Sequence, residues 1–265
     1  MERSPDEREP NLPGGQATAE VVRVGDTVRR TAGRWTLAVH ALLRHLEAKG
    51  FAGAPRALGI DTRKREILSY IPGTPGTLPW PPALRADRGL ASAVRLVAEF
   101  HDAIVDFDPP ADTQWADGSS ELRPGQIVCH RDLGPHNIVW REDGAVAIID
   151  WDFAGPGDPL DDVAFLAFTT VPMRDDAYCA ACGFEDVPDR ARRLRLICET
   201  YGRGATPADL IARAERHHEN DIEEIETFGA EGLSPWAAFL EHNLHQSIRG
   251  MLLWMRANHE LLISP

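Results

Sequence analysis

The stretch "IVCHRDLGPHNIVWREDGAVAIIDWDF", from Ile127 to Phe153, sets two histidines, an asparagine and several acidic residues between apolar runs. The runs "QIVCH" and "VAIID" are rich in β-branched residues and are typical of buried strands. The segment "NIVW" is expected to pair with "VAII" across a tight turn at Asp143-Gly144. The sequence therefore predicts a hairpin that begins just after Asn137 and ends at Asp150.

Because a hairpin brings its two ends together, Asn137 and Asp150 are expected to lie close in space. Asp132, which precedes Asn137 through a Gly-Pro turn, can face the same point. A small set of hard oxygen ligands suits Mg²⁺, which keeps several waters and shares phosphate oxygens. The order His-Arg-Asp, four residues, Asn and a later strand-end Asp is the spacing of a kinase catalytic loop and its metal-binding aspartate. Residues that only cap local amides would explain one or two of these positions, but not all three.

The longer segment "VCHRDLGPHNIVWREDGAVAIIDWDFAGPGDPLDDVA" resembles the core of the aminoglycoside phosphotransferase family, the small-molecule branch of the protein-kinase-like fold. The Asp-Phe-Gly and Ala-Pro-Glu motifs of protein kinases are absent from the sequence, which disfavours a protein kinase. The resemblance implies that Asp158 of "GDP" is a structural turn residue. It implies no role for Asp152, which is expected to be a solvated neighbour.

The resemblance also implies roles for the residues of the quoted stretch. Asp132 would be the catalytic base, and Asn137 and Asp150 would hold Mg²⁺. Asp162 would brace the catalytic loop through backbone amides, and His130 would help to support the same loop.

The part of the chain before residue 74 predicts strand, strand, helix, strand, strand. Val22 and Val24 alternate with polar residues before a Gly25-Asp26 turn, and a helical apolar stripe runs from Trp35 to near Gly50. The Pro- and Gly-rich "TPGTLPWPP" is expected to mark a boundary. The predicted fold is therefore α+β, a protein-kinase-like bilobal fold with a small N-terminal β-sheet lobe and a larger, mostly α-helical C-terminal lobe. The expected divisions are a flexible N-terminus at 1–12, an N-lobe at 13–73 and a C-lobe at 74–265.

The resemblance fits the N-lobe more loosely. Gly14-Gly15 stands where the family has its phosphate-covering loop. Period-two alternation from Val28 places Arg30 at the strand position where the family has a nucleotide-binding Lys, and His40 falls near the helix position of its partnering Glu. Arg and Lys are not interchangeable. The difference from the family pattern at positions 30 and 40 therefore affects the expected Lys–Glu ion pair and the pose of the nucleotide. The linker whose backbone is expected to hydrogen-bond the nucleobase comprises Ser69, Tyr70 and Ile71.

Helices are expected over 189–201, 207–229 and 235–259, and they are expected to form the acceptor pocket. The stretch "AERHHENDIEEIETFGAEG", at 214–232, carries many acids at helical spacing. Such a run would attract a cationic acceptor, although a charge run is more often only a solvated helix face.

Composition excludes several classes of function. The 265 residues include 28 Lys and Arg against 41 Asp and Glu, a formal net charge of -13, which disfavours a nucleic-acid or anionic-membrane surface. The start "MERSPDEREP" lacks the apolar segment of a signal peptide, and no run is long enough to span a membrane, so a cytoplasmic protein is expected. Four cysteines do not make a disulfide framework, and the "CAAC" pair at Cys179 and Cys182 lacks a second pair for zinc.

The expected activity is transfer of a phosphate from ATP or GTP, with Mg²⁺, to a hydroxyl group of a small molecule. The alternative is a non-catalytic nucleotide-binding module, which the residues at positions 30 and 40 would suit. Retention of Asp132, Asn137 and Asp150 argues for the enzyme.

Overall fold

The computed structural model describes residues 21–111, 114–233 and 236–264, so the expected flexible segment at 1–12 lies outside it. The described chain has two regions, a small antiparallel sheet with one helix and a larger, mostly helical part. The elements of the first region are β1 (Val21–Val24), β2 (Thr27–Thr31), α1 (Thr36–Ala48), β3 (Ala57–Ile60) and β4 (Arg65–Ser69). The elements of the second region are β5 (Thr74–Pro75), α2 (Pro82–Arg85), α3 (Asp87–Ile104), β6 (Ile127–Cys129), β7 (Ile138–Arg141), β8 (Gly144–Ile148), β9 (Gly155–Gly157), α4 (Pro159–Thr170), α5 (Asp176–Ala181), α6 (Arg190–Tyr201), α7 (Pro207–Ala230), α8 (Trp236–Glu241), α9 (Leu244–Ala257) and α10 (His259–Ile263).

The sheet of the first region begins with the expected hairpin. Val24 pairs with Thr27, so Gly25 and Asp26 form a two-residue turn, and Gly25 has the positive φ of 60° that this turn requires. The strand order is β1-β2-β4-β3, with every neighbouring pair antiparallel. This order places Arg30 of β2 directly opposite Glu66 of β4.

Helix α1 is held by the apolar stripe that the sequence predicts. Leu42, Leu43 and Leu46 are fully buried, and each contributes about 1.5–3 kcal/mol through the apolar surface it removes from water. The helix ends before Gly50, whose φ of 78° favours glycine. The same buried cluster continues into the second region, where the Phe100 and Trp151 rings meet edge to face at 4.9 Å.

The helices expected at 189–201 and 207–229 are confirmed as α6 and α7, but the single helix expected at 235–259 is wrong. The chain breaks between α8 and α9 at Asn243, whose φ is 56°. The apolar spacing continues across the break because both short helices pack on the second half of α7, where Leu240 and Leu244 join Ile225 and Ile248 in one cluster. Periodicity alone therefore could not reveal the break. Within the described residues, no helix is long and apolar enough to cross a membrane.

Candidate active site

The β7–β8 hairpin brings Asn137 and Asp150 to the same end of its two strands. Ile138 pairs with Ile148, and the Ile149 amide donates to the Asn137 carbonyl at 2.8 Å. Asp150 follows with a φ of 62°, a left-handed conformation that aspartate tolerates better than most residues. The approach of the strand ends that the sequence predicts is therefore present in the fold.

The loop 130–137, which the sequence predicts to be the catalytic loop, brings Asp132 to the same place. Asn137 Nδ2 donates to the Asp132 carboxylate at 2.8 Å and to the Asp132 carbonyl at 2.9 Å. These two bonds fix the orientation of the buried amide, and they leave Asn137 Oδ1 on the side away from Nδ2. The Asp132 side chain is 26% exposed, so part of it is accessible to solvent.

Asp162 of α4 holds this loop from below. Its two carboxylate oxygens accept from the amides of His130, at 2.8 Å, and Arg131, at 2.7 Å, and His101 Nε2 lies 3.3 Å away. Burial by itself raises the pKa of Asp162, but the hydrogen bonds from His101 and the Arg131 amide outweigh it and keep the pKa below its ordinary value. A charged Asp162 therefore accepts from two successive amides of the catalytic loop.

His130 links the loop to the strand that carries Asp150. Its Nδ1 accepts from the Asp132 amide at 3.2 Å, and its Nε2 lies 3.0 Å from the Ile149 carbonyl. Because Nδ1 must accept and Nε2 must donate, these partners assign the Nε2–H tautomer. His130 thus joins the residue before Asp150 to the backbone of Asp132.

Arg30 lies in a buried cluster of carboxylates. Its Nε donates to Glu66 at 2.5 Å, its Nη1 to Asp150 at 2.6 Å and its Nη2 to Asp152 at 2.6 Å. Arg30 is only 6% exposed. Burial alone would lower the pKa of Arg30, but the three carboxylates raise it above its usual range, so the guanidinium stays charged.

Glu66, the glutamate that pairs with Arg30, lies on strand β4 rather than on helix α1. His40, at the helix position, instead places its Nε2 3.1 Å from the second oxygen of Glu66. Sequence reasoning missed Glu66, since only the β2–β4 register brings it opposite Arg30. It also misplaced Asp152, which is 6% exposed and not a solvated neighbour. Burial raises the pKa of Asp152 to about 6, although Arg30 opposes the shift.

The linker expected to hold the nucleobase has most of its amides engaged. The Ser69 amide donates to the Arg56 carbonyl at 3.0 Å, and the Tyr70 amide donates to the Asp26 carbonyl at 2.9 Å. Of the three linker amides, that of Ile71 is the one with no hydrogen-bond partner among the described residues. Gly14 and Gly15 lie outside the described residues.

His136 is a further polar group beside Asp132 that sequence reasoning missed. Its Nε2 lies 3.7 Å from Asp132 Oδ2, and the interaction with Asp132 raises the pKa of His136. The ring occupies the space that a side chain at position 134 would fill, because a Cβ on Gly134 would lie 2.4 Å from His136 Cε1. Gly134, two residues before His136, was the sequence feature that could have pointed to this packing of the ring.

The oxygens at this site fit a magnesium ion. Asn137 Oδ1 and the Asp150 oxygen that does not contact Arg30 are hard donors from one amide and one carboxylate. Such a set suits Mg²⁺ that also binds substrate phosphates, rather than an all-protein cage. The described residues contain no cluster of three or more His, Cys, Asp or Glu residues that could hold a metal.

Other candidate groups have structural partners. Asp158 caps α4 by accepting from the Leu160 amide at 2.9 Å. Cys179 and Cys182 are buried, and burial raises the pKa of the Cys182 thiol to about 11. In the acidic stretch 214–232, three glutamates form ion pairs with arginines of α9. These pairs are Glu215–Arg256, Glu219–Arg256 and Glu226–Arg249.

Comparison with known proteins adds a family and a fold. The model of the phosphotransferase enzyme family matches residues 110–195. The trifolitoxin immunity protein of Rhizobium leguminosarum bv. trifolii is 38% identical over 198 residues, which cover 72% of this chain and 73% of that protein.

Solved structures resemble the whole fold at low sequence identity. A choline/ethanolamine kinase family protein from Mesorhizobium loti has a TM-score of 0.60 at 16% identity. The aligned region covers 98% of this chain and 94% of that protein's chain. An amicoumacin kinase in complex with AMP-PNP, Ca²⁺ and Ami has a TM-score of 0.64 at 11% identity, with coverages of 92% and 88%. The gentamicin complex of APH(2'')-IIa has a TM-score of 0.54 at 13% identity, with coverages of 97% and 94%. The predicted kinase-like α+β fold is confirmed.

Proposed function

Because this chain belongs to the phosphotransferase enzyme family, the aminoglycoside phosphotransferase family that its sequence resembles, we propose that it transfers the γ-phosphate of ATP or GTP to a hydroxyl group of a small molecule. Family membership makes the chain a small-molecule phosphotransferase; the nucleotide, the metal and the acceptor belong to the proposal. The observation that carries it is the convergence of Asp132, Asn137 and Asp150 on one braced loop and hairpin.

In the proposed reaction Asp132 is the catalytic base. Its carboxylate orients the acceptor hydroxyl and takes its proton as the hydroxyl oxygen attacks the γ-phosphorus, while the bond from the γ-phosphorus to the β,γ-bridging oxygen breaks and ADP or GDP leaves. The Asn137 amide holds one carboxylate oxygen at 2.8 Å and so fixes the direction in which the base faces. Asn137 and Asp150 would hold Mg²⁺, which supplies positive charge to the phosphate oxygens. Phosphoryl transfer is mostly positioning and charge stabilisation, so few residues need to take part.

Arg30 is proposed to face the phosphates of the nucleotide. A guanidinium has five N–H donors, and three of them are engaged by Glu66, Asp150 and Asp152. The remaining hydrogens on Nη1 and Nη2 can donate to phosphate oxygens while the three carboxylates hold the group in place. The amide of Ile71, which has no hydrogen-bond partner among the described residues, is the proposed donor to the base, and Gly14-Gly15 is the proposed phosphate-covering turn.

For the acceptor, we propose a toxin or antibiotic of low molecular weight. The relative at 38% identity is named for immunity to trifolitoxin, and two of the similar structures are an amicoumacin kinase and a gentamicin complex. Phosphorylation of a hydroxyl would change the charge of such a molecule and weaken its binding to a target. A cytoplasmic location is part of the proposal, since the nucleotide is found there and all four cysteines are free and buried.

The test is an assay of ADP release from ATP and of GDP release from GTP, each with Mg²⁺, across a panel of trifolitoxin, amicoumacin, aminoglycosides, choline, ethanolamine and hydroxylated metabolites. For the acceptor that gives turnover, Asp132→Ala and Asp150→Ala are each expected to lower kcat by about 10³-fold or more, the range seen when groups that act directly in the reaction are removed. The exposed hairpin residue Asp143 supplies the control variant Asp143→Asn. Turnover that persists in both alanine variants would refute the assignment.

The alternative of a non-catalytic nucleotide-binding module makes a different prediction in the same experiment. Calorimetry would then show nucleotide binding, while no acceptor in the panel would cause the release of ADP from ATP or of GDP from GTP.

A further inference from the structure

Arg131, the residue immediately before the proposed base, is held by contacts from outside the catalytic loop. Its φ is 66°, a conformation that arginine rarely adopts and that persists only when surrounding contacts enforce it. Its amide donates to Asp162, and its guanidinium donates to Asp117 Oδ2 at 2.6 Å and to the Pro156 carbonyl at 2.5 Å. Asp162 therefore accounts for the contact of the Arg131 amide but not for the contacts of the Arg131 side chain.

Asp117 is itself fixed at both oxygens. While Oδ2 accepts from Arg131, Oδ1 accepts from the Ser119 amide at 2.8 Å and the Ser119 hydroxyl at 2.6 Å. Partial burial raises the pKa of Asp117, but the hydrogen bonds from Arg131 and Ser119 outweigh it and lower the pKa to about 2. Asp117 is thus charged at neutral pH, and both of its oxygens are held by hydrogen bonds.

Asp117 belongs to the long connection 105–126 between α3 and β6, in which the described residues form no helix or strand. Long connections of this kind are usually functional. We call Trp115–Ser119 the strap. Trp115 is fully buried in the core, and the Ala116 carbonyl accepts from Arg34, which lies between β2 and α1. Three consecutive residues of the strap therefore contact the core, the small region and the catalytic loop in turn.

We propose that Asp117 is a positioning residue for phosphoryl transfer, which acts through Arg131 to hold the Asp132 carboxylate in its reactive place. This inference rests on the proposed function of Asp132. Without the Asp117 carboxylate, the Arg131 guanidinium keeps only the Pro156 carbonyl as a hydrogen-bond partner among the described residues, and the positive φ of Arg131 is then held with less support from its side chain. Because a shift of about 1 Å at a reacting group can slow a reaction by about 10²-fold, a small relaxation here has a large effect.

The kinetic test compares Asp117→Asn, Asp117→Glu and the control Asp143→Asn, with the acceptor found in the ADP-release assay. Asp117→Asn is expected to lower kcat by about 10-fold or more, with the KM for nucleotide changed by less than about twofold, because a misplaced base affects the transition state rather than nucleotide binding. Asp117→Glu keeps the charge and is expected to recover part of the lost kcat. A kcat for Asp117→Asn within twofold of the wild type would overturn the proposal.

A second measurement does not depend on turnover. Amide hydrogen exchange of His130 and Arg131, whose amides donate to Asp162, is expected to become at least about fivefold faster in Asp117→Asn and to stay unchanged in Asp143→Asn. Unchanged exchange in Asp117→Asn would overturn the proposal even if kcat fell, because Asp117 would then act by some route other than Arg131. If no acceptor is turned over at all, the proposed function fails, whereas faster exchange would still support the link from Asp117 to Arg131.

Discussion

Arg30 shows how one side chain joins the two regions of the molecule. Its guanidinium binds Glu66 of the same sheet, together with Asp150 and Asp152, which follow β8. A single positive charge thus lies among three carboxylates in a largely buried place. One positive charge cannot compensate three carboxylates in a place that is largely shielded from water, so the protonation of one of these acids should affect the stability of the fold.

Asp152 is the acid in this cluster for which we expect a pH effect. Its pKa rises from 3.8 to about 6 on folding, so the native state binds more protons than the unfolded state between these values. Its contribution to stability is therefore fully present below about pH 4 and is lost as the pH rises through about 6. The measurement is urea unfolding of the wild type and Asp152→Asn from pH 4 to 7. The free energy of unfolding of the wild type should fall relative to that of the variant up to about pH 6 and then level off.

The variant Asp143→Asn, which removes an exposed carboxylate outside this cluster, serves as the control for this titration. If the difference between the wild type and Asp152→Asn stayed constant from pH 4 to 7, Asp152 would not be the titrating group.

At the scale of elements, the break between α8 and α9 can be tested at Asn243. Its φ of 56° is tolerated by glycine and asparagine. A β-branched residue at this position is destabilised by roughly 1–2 kcal/mol. Asn243→Val is therefore expected to lower the free energy of unfolding by about that amount, and Asn243→Gly to leave it unchanged or slightly raised. Chemical denaturation measures the free energy of unfolding of both variants. The control is Gln246→Ala, at an exposed position of α9. Equal stabilities for the valine and glycine variants would show that the chain does not turn at Asn243 in solution.

At the scale of the whole molecule, binding of a nucleotide with Mg²⁺ should stabilise the fold. A ligand at about 100 times its Kd adds about 2.7 kcal/mol, or roughly 5–10 °C in Tm for a chain of this length. We expect AMP-PNP with Mg²⁺ to raise the Tm of the wild type and of Asp132→Asn, because the base is not needed for binding. The part of the shift that chelation with EDTA removes should be absent in Asp150→Asn. A Mg²⁺-dependent shift of full size in Asp150→Asn would mean that another group holds the metal.

The sequence by itself determined the parts of this protein that depend on neighbours along the chain. The turn at Gly25-Asp26, the buried face of α1 and the pairing of the strands that follow Asn137 and precede Asp150 all arise from short-range periodicity and turn chemistry, so they could be read without coordinates. The spacing of Asp132, Asn137 and Asp150 likewise indicated a kinase catalytic loop, because such loops and hairpins are local units, and the longer segment around them carries the resemblance to the family.

Only the tertiary structure decided how these units meet. Glu66 became the partner of Arg30 through the register of β2 and β4, and Asp117 reached Arg131 because the buried Trp115 anchors a long connection beside the catalytic loop. The apolar spacing of α8 and α9 continued across the break at Asn243, since both helices face the same side of α7. Contacts between residues distant in the sequence depend on packing and strand register, which leave no periodic signal in the chain.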